Sequence, residues 1–398
     1  MIHTGRHFLQ IPGPTNVPDR VLRAMSRAVV DHRGPEFARL TQEVLELIRP
    51  VFRTSAYVAI FPSSGTGACE AALVNTLSPG DRTLICETGW FSHNPWRRIA
   101  DRLGLDVEYM AGDWRHGASP ERVEARLAAD SGHAIKAVVV VHNETSTGVT
   151  SRIGDVRRAM NRAAHPALLI VDTISSLGSI DVRHDEWEAD VTVTGSQKGL
   201  MLPPGLGFNA ISEKAVRASK SARLARAYWD WEEILKANQN GFFPYTPATN
   251  LVFGLREALL MLQEEGLANV FLRHQRHAEA ARAAARAWGL QIVCDEPLEY
   301  SSSLTAVFTP DGHDADRLRE IILDRFDMSL GTGLGRLSGK VFRIGHLGAF
   351  NDLMLIGTLG GVELGLRVAG VPHREGGVSA AMNVLAPTGK PVEPTLAR

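Results

Sequence analysis

Between residues 57 and 211, short β-rich apolar runs recur: "YVAIF", "RTLIC", "DVEYM", "AVVVV", "LLIVD", "VTVTG" and "LGFNAI". Several have no polar alternation, so they do not suit strands with one wet face. Continuous apolar character fits strands covered on both sides, as in a mostly parallel α/β sheet. Helix patterns fill the gaps. "SPERVEARLAAD" offers Ser119 as N-cap with Pro120 at the first helical position, and "IGDVRRAMNRAA" has the same periodicity. Strand, helix and strand in this order predict a βαβ architecture.

After about residue 250 the pattern changes to long helical runs, "LVFGLREALLMLQEEGL" and "NVFLRHQRHAEAARAAARAW". Short strands are expected after them at "LQIV", "LTAVFT" and "KVFRIG", which describes a smaller α+β domain. The expected division is a large domain over residues 16–257, a small domain formed by 1–15 with 258–385, and a flexible proline-rich tail over 386–398. With 398 residues, 44% of them hydrophobic, the chain can bury a full core. Its 43 Lys and Arg against 44 Asp and Glu give a net charge of -1, which points away from nucleic acid or an anionic membrane and toward a small ligand. No apolar run is long enough for a membrane span, and "MIHTGRHFLQ" lacks the apolar core of a signal peptide, so a cytoplasmic protein is expected. The three cysteines, Cys69, Cys86 and Cys294, lack metal-ligand spacing; they read as buried free thiols, and no metal is expected.

Polar residues fall where such a sheet binds ligands. "FPSSGTGACEAALVNTL" reads as strand, glycine turn and helix, with Ser64, Gly65, Thr66 and Gly67 placed so that backbone N–H groups and the helix dipole would hold a phosphate. The same glycines would also serve an ordinary βα turn in close packing. The run is not a Walker loop, and it lacks GxGxxG spacing. "GTGLG" at 331–335 lacks that spacing too and is not expected between a strand and a helix. Asp172 closes the apolar strand "LLIVD", where α/β ligands bind, although a helix cap or turn would use an aspartate in the same way. Lys198 follows "VTVTGSQ" and precedes "GLMLPPGLGF", a run too apolar to be wholly exposed. A lysine in a turn is often solvated, but desolvation lowers the amine from its ordinary pKa of about 10.4 and makes it a nucleophile toward a carbonyl.

Phosphate cradle, strand-end carboxylate and strand-end lysine have one economical joint reading, the three points that hold pyridoxal 5′-phosphate. The cradle takes the phosphate, Asp172 keeps the ring nitrogen protonated, and Lys198 supplies the amine that condenses with the aldehyde.

The chain resembles the class V, fold-type I aminotransferases, most closely the bacterial serine–glyoxylate group, with alanine–glyoxylate enzymes as near relatives. The resemblance rests on an ordered series: "GRHFLQIPGPTNVP", "DHRGPEF", "HNETSTGV", "VDTISSLGS", "TGSQKGLMLPPG", "FPYTPATN" and "GKVFRIGHLG". It implies the fold-type I architecture, a large domain with a mostly parallel seven-stranded sheet and a smaller α+β domain. It also implies that Lys198 is the cofactor-linked lysine and proton shuttle, and that Asp172 is the ring-nitrogen partner. Ser64, Gly65, Thr66 and Gln197 would hold the phosphate, Trp90 would stack on the ring, and Thr145 would lie near the ring hydroxyl. Thr246 would reach the phosphate from the partner subunit, so the resemblance implies a homodimer with shared active sites. Where the alanine–glyoxylate relatives carry a tyrosine, this chain has Phe243; Tyr245 is the nearby candidate to replace it.

By the same resemblance Arg343 clamps the substrate carboxylate. A guanidinium amid apolar residues needs a partner, and a carboxylate matches it bidentately, although a structural ion pair would satisfy it as well. Pro12 and Gly13 belong to a stiff segment, "IPGPTNVP", that the family folds over the site mouth; His32 and Arg33 are candidates for its rim. The implied reaction is ping-pong transamination from an amino acid to a 2-oxo acid, with L-serine and glyoxylate as substrates and alanine or aspartate as alternative donors. One arginine fork suits monocarboxylates; a dicarboxylate needs a second cation, for which Arg33 is the candidate. A desulfurase or related lyase of the same class would need a reactive cysteine on a mobile loop, and Cys294 lies in "LQIVC".

Overall fold

Each apolar run forecast as a doubly covered strand is one. The computed structural model describes residues 5–386. In chain order the strands are β1 (Phe8–Gln10), β2 (Tyr57–Ser63), β3 (Arg82–Cys86), β4 (Asp106–Met110), β5 (Ile135–Val141), β6 (Asn143–Glu144), β7 (Val149–Thr150), β8 (Leu168–Asp172), β9 (Val191–Gly195), β10 (Gly205–Ile211), β11 (Leu304–Phe308), β12 (Met328–Thr332) and β13 (Val341–Gly345). The large sheet has seven strands in the order β2-β10-β9-β8-β5-β3-β4. It is parallel except for β10, which runs against both neighbours.

Strand β5 explains why no polar residue interrupts the run. Ala137, Val139 and Val141 face a core built with the helix Gly65–Thr76, while Val138 and Val140 face a second core with the helices Pro120–Ala128 and Ile153–Arg162. Successive side chains of a strand point to opposite faces, so both must be apolar when both faces are covered. Ser119 caps its helix as expected, accepting a hydrogen bond from the Arg122 amide at 3.3 Å.

A second sheet, in the order β1-β12-β13-β11, packs beneath the helices Leu267–Trp288, Ala315–Phe326 and Asp352–Val368. Three expectations change here. "LQIV" forms only an isolated bridge, Ile292 to Val307, instead of a strand. β1 and β12 are strands the patterning did not reveal, and β1 pairs parallel to β12 across the length of the chain. "GTGLG" does follow a strand, since it starts inside β12 and runs into the 3-10 turn Gly335–Leu337. Its first glycine is fixed by packing: a Cβ on Gly331 would lie 2.7 Å from Pro12 Cδ and 3.0 Å from Arg343 Cβ. Apart from Ala386, the expected tail lies outside the described residues. Among the described residues no helix is long and apolar enough to cross a membrane.

Candidate active site

The carboxyl ends of β8 and β9 bring the two titratable residues of interest to the same edge of the sheet. Asp172 ends β8 and lies in register with Val193 of β9; Lys198 follows β9 by three residues. Asp172 is 3% exposed. Its Oδ1 accepts a hydrogen bond from the Ile174 amide at 2.9 Å and its Oδ2 accepts one from the Trp96 indole at 2.8 Å. Burial pushes the carboxyl up to about 6, against the pull of those two donors and of the Lys198 amine.

Lys198 is 7% exposed in a turn that closes on itself. The Met201 amide donates to the Lys198 carbonyl at 2.9 Å, and Ser196 Oγ donates to the Pro203 carbonyl at 2.7 Å. Above the amine lies the N-terminal segment. Lys198 Nζ donates to the Pro12 carbonyl, and Thr15 grips the turn twice, its amide donating to the Gln197 carbonyl at 3.1 Å and its Oγ1 to the Lys198 carbonyl at 3.0 Å. Gly13, at φ +110°, leaves no room for a side chain unless Lys198 moves: a Cβ there would lie 2.5 Å from Lys198 Cδ and 2.8 Å from Nζ. Burial brings the Lys198 amine down to about 7, with the Arg343 cation acting in the same sense and Asp172 and Glu144 opposing.

Beside this pair the helix Gly65–Thr76 begins. Ser64 is its N-cap, and Ser64 and Thr66 are exposed at its tip. The first amides of a helix have no partner within it and carry partial positive charge. A Cβ on Gly195 would lie 2.8 Å from Gln197 Oε1 and 3.1 Å from the Gly65 amide nitrogen, so strand end, glutamine and helix start share one corner. Gln197 Oε1 is buried there without a hydrogen-bond partner.

Arg343, on β13, is 7% exposed and reaches the same region from the second sheet. Its Nε donates to the Thr332 carbonyl and its Nη1 to the Thr145 carbonyl, both at 2.7 Å. Among the described residues it has no carboxylate partner within salt-bridge distance, so no structural ion pair accounts for it. Burial lowers its pKa to about 10, which leaves it cationic at neutral pH. Thr145 is thus held by its carbonyl, and neighbouring Glu144 is a buried carboxylate pinned by Ser146 Oγ at 2.6 Å, the Ser146 amide at 3.0 Å and the Phe91 amide.

The other candidates make no hydrogen bond to Lys198, Asp172 or Arg343 among the described residues, although the Trp90 amide donates to Ser146 Oγ at 2.9 Å. Trp90 packs against Gly335, where a Cβ would come within 2.8 Å of both the Trp90 and Trp114 rings, while the indole that touches Asp172 is Trp96. Thr246 is exposed, with no side-chain hydrogen bond among the described residues. Phe243 lies against Phe37, and Tyr245 stacks on Tyr228 with its buried hydroxyl unpartnered. His32 and Arg33 make no hydrogen bond or ion pair with Lys198, Pro12 or Arg343 among the described residues, and Arg33 is exposed. Sequence reasoning missed Trp96, Thr15 and Glu144. An N–H-bearing aromatic six residues beyond the "TGW" turn was the available signal for the first; nothing local marked the others.

Comparison with known proteins decides the family. The model of the family described as "Aminotransferase class-V" matches residues 7–334. The chain belongs to the class V aminotransferases. It is similar to the serine–glyoxylate aminotransferase of Methylorubrum extorquens, 49% identical over 388 residues and 96% of each chain. It is also similar to the L-aspartate–glyoxylate aminotransferase of Paracoccus denitrificans, 45% identical, covering 95% of this chain and 96% of the other. Among solved structures, the ureidoglycine–glyoxylate aminotransferase of Bacillus subtilis superposes with a TM-score of 0.88 at 28% identity, covering 96% of this chain and 99% of that one. The fold is the fold-type I architecture, and the cofactor of a class V aminotransferase is pyridoxal 5′-phosphate. The residues fit that cofactor: the free first amides of the helix Gly65–Thr76 with the exposed Ser64 and Thr66 suit its phosphate, and a buried carboxylate and a buried, easily neutralised amine suit its ring and aldehyde.

Proposed function

We propose that this aminotransferase moves the amino group of L-serine to glyoxylate, releasing hydroxypyruvate and glycine in two half-reactions. The observation that carries the reading is the convergence of Lys198, Asp172 and a carboxylate-free Arg343 beneath the Pro12–Gly13 segment. The name and near full-length similarity of the M. extorquens relative support the substrate pair.

Pyridoxal phosphate, when bound, supplies a protonated ring that takes up the electrons left as the α-proton departs. Ser64, Gly65, Thr66 and Gln197 would hold its phosphate, Asp172 would partner its ring nitrogen, Trp90 would stack on it, and Thr145 would lie near its hydroxyl. Lys198 Nζ, freed by the incoming amino acid, takes the α-proton and later returns it; its lowered pKa keeps the amine available near neutrality. Arg343 keeps Nη2 and the second hydrogen of Nη1 for the substrate α-carboxylate while Nε and the first Nη1 hydrogen stay tied to carbonyls, so the fork is oriented before substrate arrives. Pro12 and Gly13 close the mouth and exclude water. Thr246 of the partner subunit completes the phosphate site in a homodimer. Residues 16–257 form the cofactor-holding unit, and residues 1–15 with 258–385 form the unit that covers it.

Aspartate as donor is the second reading, favoured by the P. denitrificans relative. A desulfurase reading has no support: Cys294 is buried, its thiol donates to the Glu296 carbonyl at 3.5 Å, and burial pushes its pKa up to about 12. A matrix of serine, alanine and aspartate against glyoxylate, pyruvate and 2-oxoglutarate tests the proposal; serine with glyoxylate should give the highest kcat/KM, and a higher value for aspartate would replace it with the second reading.

A further inference from the structure

Asp172 is held on both oxygens, and the two donors differ in kind. The Ile174 amide belongs to the turn that follows β8, so any residue there would provide it. The Trp96 indole comes from a separate element, 76 residues away in sequence. Trp96 is fully buried, in the core shared with Ala68, Cys69, Ile170 and Val193. It sits just past a kink in the segment Ser92–Arg97, where Asn94 leaves helical dihedrals at φ -128° and ψ 109°.

We propose that Trp96 is a positioning residue for Asp172: its indole N–H fixes the carboxylate plane and keeps Asp172 a weaker base than the cofactor ring nitrogen, so the shared proton stays on the ring. The inference rests on the reading of Asp172 as the ring-nitrogen partner. Donors on both oxygens stop the carboxylate from rotating about its Cβ–Cγ bond. Each donor also stabilises the charged form, opposing the apolar surroundings that favour the neutral acid. An indole suits this task because it donates only and does not titrate, so it cannot take the proton itself. The other titratable groups near Asp172 are Lys198, Glu144 and Cys69, and none of them hydrogen-bonds it among the described residues.

The test is the 15N chemical shift of the ring nitrogen in enzyme loaded with 15N-labelled pyridoxal phosphate, read beside kcat and KM for serine. Unmutated enzyme should give the protonated position and Asp172→Asn the unprotonated one. Trp96→Phe keeps an aromatic ring but removes the donor; its signal should move toward the unprotonated position, with kcat down about tenfold or more for each pK unit lost and KM changed less than about threefold. Trp96→His, read at pH 8 where a neutral imidazole donates, should recover part of the shift. The melting temperature of each unloaded variant separates lost folding from lost positioning. A protonated signal in Trp96→Phe identical to that of unmutated enzyme overturns the role of Trp96 while leaving Asp172 intact. A protonated signal in Asp172→Asn overturns the reading of Asp172, and the role of Trp96 with it.

Discussion

Lys198 and Asp172 are both shifted toward their neutral forms by burial, which brings an amine and a carboxyl of ordinarily distant pKa to about 7 and about 6. For the unloaded chain the sign is definite: as pH falls through about 7 the Lys198 amine protonates and ceases to be a nucleophile. The rate of covalent cofactor uptake should therefore rise with pH around a midpoint near 7; mixing experiments followed by absorbance would instead give a midpoint near about 10.4 if the lysine were unperturbed. Lys198→Ala should lower turnover by at least about 10⁴-fold yet still take up pyridoxal phosphate, because the phosphate and ring contacts survive; near-normal activity would remove Lys198 from the mechanism. Arg343→Ala should raise KM for serine and glyoxylate alike by about 10- to 100-fold, the worth of a hydrogen bond to a charged group. Unmutated enzyme should use aspartate and 2-oxoglutarate poorly, because one fork at Arg343 leaves their distal carboxylate to find a second cation elsewhere; efficient turnover that disappears in Arg33→Ala would identify that cation. The strand-end positions of Lys198 and Asp172 were legible because Asp172 closes an unbroken apolar run and Lys198 lies between a β-branched strand and the apolar "GLMLPPGLGF". Trp96 and Thr15 were not, because their contacts to the site span 76 and 183 residues and follow from tertiary packing alone.

At the level of elements, the strap from β1 through Thr15 is the part whose geometry leaves least freedom. Gly13 combines a left-handed φ with a Cβ position occupied by the lysine side chain, so Gly13→Ala meets two penalties at once. Its kcat/KM should fall by at least about tenfold with the global melting temperature little changed, as expected for about 1–3 kcal/mol of local strain; unchanged kinetics would show that the strap opens during turnover. Thr15→Val removes one hydrogen bond and should have the smaller effect, about 0.5–1.5 kcal/mol. The large-sheet strands were readable from their apolar or β-branched runs, although the edge strand β4, part-exposed along its length, is not buried on both faces. β1 has three residues, too few for any periodicity, and β12, "MSLGT", is mostly small and polar; its glycine is demanded by Pro12 and Arg343, which the local sequence does not announce. "LQIV" has strand composition but only one bridge to pair with, so composition alone misled.

Across the whole molecule, the proposed homodimer makes a prediction that no single chain can satisfy. Lys198→Ala and Thr246→Ala subunits, mixed and reassembled, should regain activity above the sum of the two, because a hybrid dimer contains one site with both residues intact. Strict additivity would confine each site to one chain. The α/β character and the long helices after residue 250 were evident from patterning, and residues 1–15 were expected with the small domain, but the strand pair that joins them there was not foreseen: Phe8–Gln10 pairs with Met328–Leu330. That pairing has a consequence for biosynthesis. The first strand to leave the ribosome has no partner until residues 328–330 have followed it, long after the lysine turn has emerged. A chain ending before β12 therefore lacks the strand that pairs with β1, and the Thr15 hydrogen bonds to the lysine turn are what remains to hold the strap over Lys198.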